Sequence, residues 1–260
     1  RQYGSQGFDL VFGHGFEFQD AAERVAPQFP GTVYIVTSGS RSVPPNLAGI
    51  TFGFEGASYL AGVLAGSLTR SGVLGVIGGA ALPPVESSFD AFAAGARTVR
   101  PDARLLSAYV GNWEDASAGR ELALAQIRQG ADLIFQNADA AGLGIFQAAR
   151  QAGNVLVFGT NIDQNPVAPD VIIGSVVIDL PRAFLGIARE VQNGTFTARQ
   201  IRFGPSSAIV RLVRNPALAD RVPREVHARL DSLDLELRTG ELVPSWNPPS
   251  SSDSSHANAR

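Results

Sequence analysis

Asn137, Asp139 and Asp163 are the residues with which this chain could do polar chemistry in one place, because each follows a short apolar run. The densest such corner is QNADAAGLGIF, from Gln136 to Phe146, which leads into a helix-like pattern. Two carboxylates could serve as general acid and general base, or could accept hydrogen bonds from a bound molecule. Their spacing leaves both open. A phosphate loop fails on detail. Gly142-Leu143-Gly144 lacks the third glycine of a dinucleotide fingerprint, and Gly-Lys-Ser/Thr cannot occur in a chain without lysine. No Gly-x-Ser-x-Gly occurs, so a nucleophile elbow is missing as well.

Composition removes further classes. Cysteine is absent, and with it disulfides, thiolate nucleophiles and thiolate metal sites. The 3 histidines, His14, His227 and His256, share no ligand spacing, so no metal and no cofactor is expected. All 21 basic residues are arginine, which excludes Schiff-base chemistry. A formal charge of -3 with no basic run argues against nucleic acid. The longest apolar stretch, Tyr59 to Leu68, is broken by Gly62 and Gly66 and is too short to span a bilayer.

The elements that would position these residues follow from periodicity. Phe8 to Gly13, Thr32 to Thr37, Leu47 to Phe52, Val73 to Gly78, Leu105 to Val110, Leu133 to Gln136, Val155 to Gly159 and Val171 to Val177 read as strands. Most are apolar throughout, as expected when helices cover both faces of a parallel sheet. Asp115 is placed to cap a helix carrying Leu122, Leu124 and Ile127 and stopping at Gly130. Further on, Ile201 to Phe203 and Ala208 to Leu212 read as short strands, and Val226, Leu230, Leu233 and Leu237 as one helix face. Residues 245–260, rich in Ser and Pro, are expected to be a disordered tail. The fold class is α/β.

In such a sheet, ligands bind beyond the carboxyl ends of the strands. The residues found there are His14 and Phe16 after the first strand, Gly78-Gly79 after the fourth and Trp113 after the fifth. Asn137 and Asp139 follow the sixth, and Asn161, Asp163 and Gln164 the seventh. Amides and carboxylates could fix hydroxyls while an aromatic ring stacks on a flat face. Each also has an ordinary structural explanation: Gly as a turn residue, Asn or Asp as a cap, Trp113 as core, His14 as a hydrogen-bonded wall.

Several segments together carry a resemblance. GFDLVFGHGFEFQDAAERVAPQFP, FEGASYLAGVLAGSLTRSGVLGVIGG, FDAFAAGARTVRPDA, YVGNWEDASAGRELALAQIRQGADLIFQNADAAGLGIFQAARQAG, NIDQNPVAPDVIIGSVV and LRTGELVP resemble, in order from Gly7 to Pro244, the basic membrane protein family. Members are nucleoside-binding-type substrate-binding proteins of bacterial ABC importers with the type 1 periplasmic binding fold. The resemblance implies two Rossmann-like lobes with parallel sheets joined by a multi-strand hinge. Residues 1–52 and 164–200 would form an N-terminal lobe, and 53–163 and 201–244 a C-terminal lobe. It further implies that Trp113 stacks a base, that Gly142 lies by the ligand and that Asp163 takes ribose hydroxyls. Asn137, Asp139, His14 and Phe16 complete the expected ligand-binding set in the inter-lobe cleft.

By the same resemblance the protein is not an enzyme. It would be a monomeric lipoprotein or periplasmic protein outside the cytoplasm, with a nucleoside-like ligand and permease subunits as partners. Two departures stand out. The family's first strand and helix, with a Ser-Phe-Asn for the second stacking ring, would lie upstream of Arg1, so the sequence is expected to be a fragment of a longer reading frame. At Ile178 stands the residue where relatives often carry a ribose-reaching lysine. Losing that donor removes a charge-assisted hydrogen bond of roughly 1.5 to 3 kcal/mol. Two other readings stay open: the effector domain of a regulator with this fold, and a nucleoside hydrolase using Asp139 and Asp163.

Overall fold

The computed structural model describes residues 1–244; the tail expected over 245–260 lies outside them. The chain divides into two compact units, passing between them after Gly53, Val177 and Val210. The first unit comprises Arg1–Gly53 and Ile178–Val210, and the second Phe54–Val177 and the chain from Arg211 onward. The second crossing thus falls at Ile178 and not near residue 164. The reason is pairing: the strand through Ile172 hydrogen-bonds to its predecessor, so residues 164–177 stay with the second sheet. The last crossing likewise falls after Val210 and not after residue 200, since the short strand at Ile201 joins the first sheet.

The first unit holds a short helix α1 (Gln2–Ser5), then β1 (Leu10–His14), α2 (Gln19–Val25), β2 (Val33–Thr37) and β3 (Leu47–Phe52). Its returning segment adds α7 (Leu180–Gln192) and β9 (Ile201–Phe203). The sheet runs β1-β2-β3-β9, parallel throughout. β1 is an edge strand, and none of its five residues is buried. Ile35, Ala48, Ile50 and Ile187 form the core on one face, and Ala26, Tyr34, Val36 and Leu47 on the other. Asn46 closes the unit's loops: its buried side-chain amide donates to the carbonyls of Ala26, Phe29 and Thr32 at 2.7 to 2.9 Å.

The second unit begins with α3 (Glu55–Leu68), buried continuously from Gly56 to Gly66. It is apolar all round because α4 (Pro83–Arg97) and α8 (Arg224–Thr239) both cover it. The contact with α4 is so close that a side chain at Gly62 would strike the Phe92 carbonyl. Among the described residues no helix is long and apolar enough to cross a membrane.

Its strands are β4 (Val73–Gly78), β5 (Arg104–Tyr109), β6 (Leu133–Asn137), β7 (Leu156–Asn161), β8 (Ile172–Ile178) and β10 (Val210–Arg214). The order is β10-β8-β7-β6-β4-β5, with every pair from β5 to β8 parallel. Phe89 and Phe92 of α4 meet Phe135 and Phe158 on one face, with Phe92 stacked on Phe135 at 5.2 Å. On the other face lie α5 (Ala116–Arg128) and α6 (Gly142–Ala152), with Ile134, Ile145, Phe146 and Val157 between. Asp115 caps α5, its carboxylate accepting from the Ala118 amide at 2.9 Å, as its position predicts.

A buried polar network ties the ends of β6, β7 and β8. Oε1 of Gln164 accepts from Nε2 of Gln136 at 2.7 Å and from the Thr160 amide at 2.9 Å. The Gln164 amide donates to Oγ of Ser175, which donates to Oδ1 of Asn165. Replacing Gln164 by Leu strands the Gln136 amide and the Thr160 N–H in a dry interior, at about 1–3 kcal/mol each. The expected outcome for Gln164→Leu is a fall in melting temperature of at least about 5 °C by circular dichroism. An unchanged midpoint would show the network to be dispensable.

Candidate functional site

The second sheet reverses direction at β4. The chain steps from β4 outward to β5, then returns to the other side of β4 for β6, β7 and β8. The connections leaving β4 and β6 therefore diverge, the topology at which open sheets of this kind take ligands at the carboxyl ends of their strands. Five residues expected from the sequence stand at these strand ends within this one unit: Trp113, Asn137, Asp139, Gly142 and Asp163. His14 and Phe16 stand at the carboxyl end of β1 in the first unit.

Gly79 continues β4 for one residue, its amide donating to the Asn137 carbonyl at 2.8 Å and its carbonyl accepting from Gly111 at 2.8 Å. Trp113 is half-buried, and its six-membered ring lies against the Gly79 backbone, where any side chain would collide with it. The Asn112 side chain folds the next turn by accepting from the amides of Glu114 and Asp115 at 2.9 and 2.8 Å. The Ala141 amide donates to the Trp113 carbonyl at 3.0 Å, which fastens the turn after β5 to the turn after β6. The indole is thus held on the backbone at the switch point. At the end of β5, burial and then the negative charge of Glu86 push the Tyr109 phenol up from its ordinary value.

Asn137 is buried at the end of β6, with 5% of its surface exposed. Asp139 and Asp163 are both exposed. Oδ1 of Asp163 accepts from the Asn165 amide at 3.0 Å, an Asx turn that sets the loop after β7. Oδ1 of Asp139 accepts from Nδ2 of Asn161 at 2.7 Å. Sequence reasoning placed Asn161 among the strand-end residues without a role. Leu143 and Ile162 add apolar surface at the same strand ends, at 44% and 62% exposure.

Gly142 has a packing role within the sheet edge. It is buried, and a Cβ there would lie 2.5 Å from Oε1 of Gln136, so its smallness admits the buried carboxamide. In the first unit, His14 is exposed, with Nδ1 3.0 Å from the Thr37 hydroxyl, which also accepts from the Gly15 amide at 2.9 Å. Phe16, 60% exposed, borders a recess of about 230 Å3 with Gln19, Ser38 and Arg41. Arg41 is committed to Asp20 and Glu23. Among the described residues no cluster of His, Asp or Glu could hold a metal ion.

The carboxyl edge of this sheet supplies a flat aromatic surface, two carboxylates and a buried amide. Comparison with known proteins agrees with a binding role. The model of the family described as PnrA-like ABC transporter substrate-binding proteins matches residues 1–232. Basic membrane protein A of Borreliella afzelii is 28% identical over 250 residues, covering 94% of this chain and 76% of that protein. A purine-binding protein of Brucella abortus is 28% identical over 249 residues, covering 96% and 69%. A solved structure of an ABC transporter solute-binding protein from Conexibacter woesei is 30% identical with a TM-score of 0.75, covering 94% and 82%. The chain belongs to the PnrA-like family of ABC transporter substrate-binding proteins.

Proposed function

We propose that the chain binds a purine nucleoside or a related small polar molecule and delivers it, as a monomer outside the cytoplasm, to the permease subunits of an importer. The observation that carries this reading is the indole of Trp113 seated on Gly79 at the switch point, with the carboxylates of Asp139 and Asp163 on the neighbouring strand ends. Base stacking on an aromatic ring is sequence-tolerant and contributes roughly 1–3 kcal/mol. Carboxylates accepting from vicinal hydroxyls then add specificity for a sugar. The purine-binding relative supports the same ligand class. His14 and Phe16 are the corresponding candidates on the first unit.

Binding here needs no bond to break. Asp139 and Asp163 each already accept one hydrogen bond, which suits them to accept more from a ligand. Nucleoside incubated with the protein is therefore expected to be recovered intact by mass spectrometry. Release of free base would replace the binding reading with the hydrolase.

In titration calorimetry with adenosine, guanosine and inosine, Trp113→Ala is expected to weaken binding at least tenfold, or about 1.4 kcal/mol. An unchanged constant would make Trp113 a packing residue only. Ile178→Lys supplies the charged donor that relatives often carry, and it is expected to tighten nucleoside binding about tenfold or more. No gain on that variant would mean that the ligand offers no ribose to position 178.

A further inference from the structure

Asp139 and Asn161 are two of only four non-glycine residues with left-handed backbone among the described ones, at φ 48° and 68°. They stand at the ends of adjacent strands, β6 and β7, twenty-two positions apart in sequence, and their side chains meet at 2.7 Å. Asn and Asp are the side chains that tolerate this backbone best, through their own local hydrogen bonds. Here each spends its side chain on the other. Both residues lie where the strands give way to loops, and their side chains bridge the two loops.

The donor is a neutral amide, so it occupies one oxygen of the carboxylate without neutralising its charge. Oδ2 of Asp139 takes no hydrogen bond among the described residues, and Asp139 is exposed. We propose that Asn161 is a positioning residue for solute binding: its amide clamps Oδ1 of Asp139 so that Oδ2 is presented in one fixed orientation to a ligand hydroxyl. A carboxylate free to rotate would lose rotamer freedom each time a ligand bound. One held in place beforehand has already done so. Asn161 therefore acts through Asp139, and the proposal rests on the solute-binding reading above.

Two substitutions separate the clamp from the backbone. Glycine accepts φ 68° without strain, so Asn161→Gly deletes the amide and relieves the chain. Asn161→Asp keeps the shape but sets a second carboxylate against the first, so the pair closes only when it shares a proton. The other acids on these loops are Glu114, Asp115 and Asp163. Asp115 and Asp163 each already accept a backbone amide.

The experiment combines calorimetry with adenosine, guanosine and inosine between pH 5 and 8 with NMR χ1 couplings of Asp139 in the ligand-free protein. For Asn161→Gly, a melting temperature no lower than that of the parent is expected, with affinity down about tenfold and Asp139 averaging over rotamers. For Asn161→Asp, affinity is expected near that of the parent at pH 5 and falling about tenfold by pH 8, while the parent changes less than twofold.

Weaker binding with Asp139 still in one rotamer would mean that Asn161 touches the ligand itself, and it would overturn the proposal. So would unchanged affinity in Asn161→Gly, or a pH profile of Asn161→Asp that tracks the parent. If the parent binds none of the three nucleosides, the ligand reading fails by itself. The rotamer measurement then still decides the clamp: a single Asp139 rotamer in Asn161→Gly refutes it, and averaging upholds it.

Discussion

One carboxamide holds together the end of the second sheet that matters. The Gln164 side chain lies under the loop after β7 and joins it to β6 through Gln136, while its own backbone reaches β8 through Ser175. The ladder between β6 and β7 ends at Phe135 and Phe158, and the polar groups beyond it would otherwise lack partners in a dry interior. The network supplies those partners from side chains, and the loops carrying Asp139 and Asp163 inherit its rigidity. The neighbouring Asn165 extends it to the Val213 carbonyl on the strand that follows the last crossing. Polar groups at the surface thus rest on a network of polar groups beneath.

The small residues of this corner follow from that constraint. Gly142 is small because Gln136 occupies the space its side chain would take, and Gly144 because α5 passes directly over it. Gly79 serves the opposite purpose, leaving its backbone bare for the Trp113 ring. Three glycines within one site thus answer to a buried amide, a neighbouring helix and an indole. The first unit solves a similar problem with Asn46, whose amide gathers three loop carbonyls.

Much of this was legible in the sequence because it depends on local order. The strands appear within one or two residues of where the apolar runs place them, and Asp115 caps its helix, since both follow from periodicity and cap chemistry. The strand-end rule located Trp113, Asn137, Asp139 and Asp163 at the sheet's carboxyl edge. The crossing at Ile178 was not legible, because an apolar run carries no mark of which sheet it will join. Nor was the purpose of Gly142, which depends on a side chain from another element. The Asn161 to Asp139 bond was hidden for a third reason: it needs left-handed backbone at both residues, and neither position carries the glycine that would announce it.

The seating of Trp113 has an optical consequence. The chain has 2 tryptophans, and Trp113 is the only one among the described residues. Its ring is pinned to a backbone at the switch point and remains half in contact with solvent. Indole emission shifts with the polarity around the ring, so a molecule seated there would displace water from it and shift its emission. The protein thus carries an optical probe at the turn after β5, one that reports on any molecule displacing water from that ring.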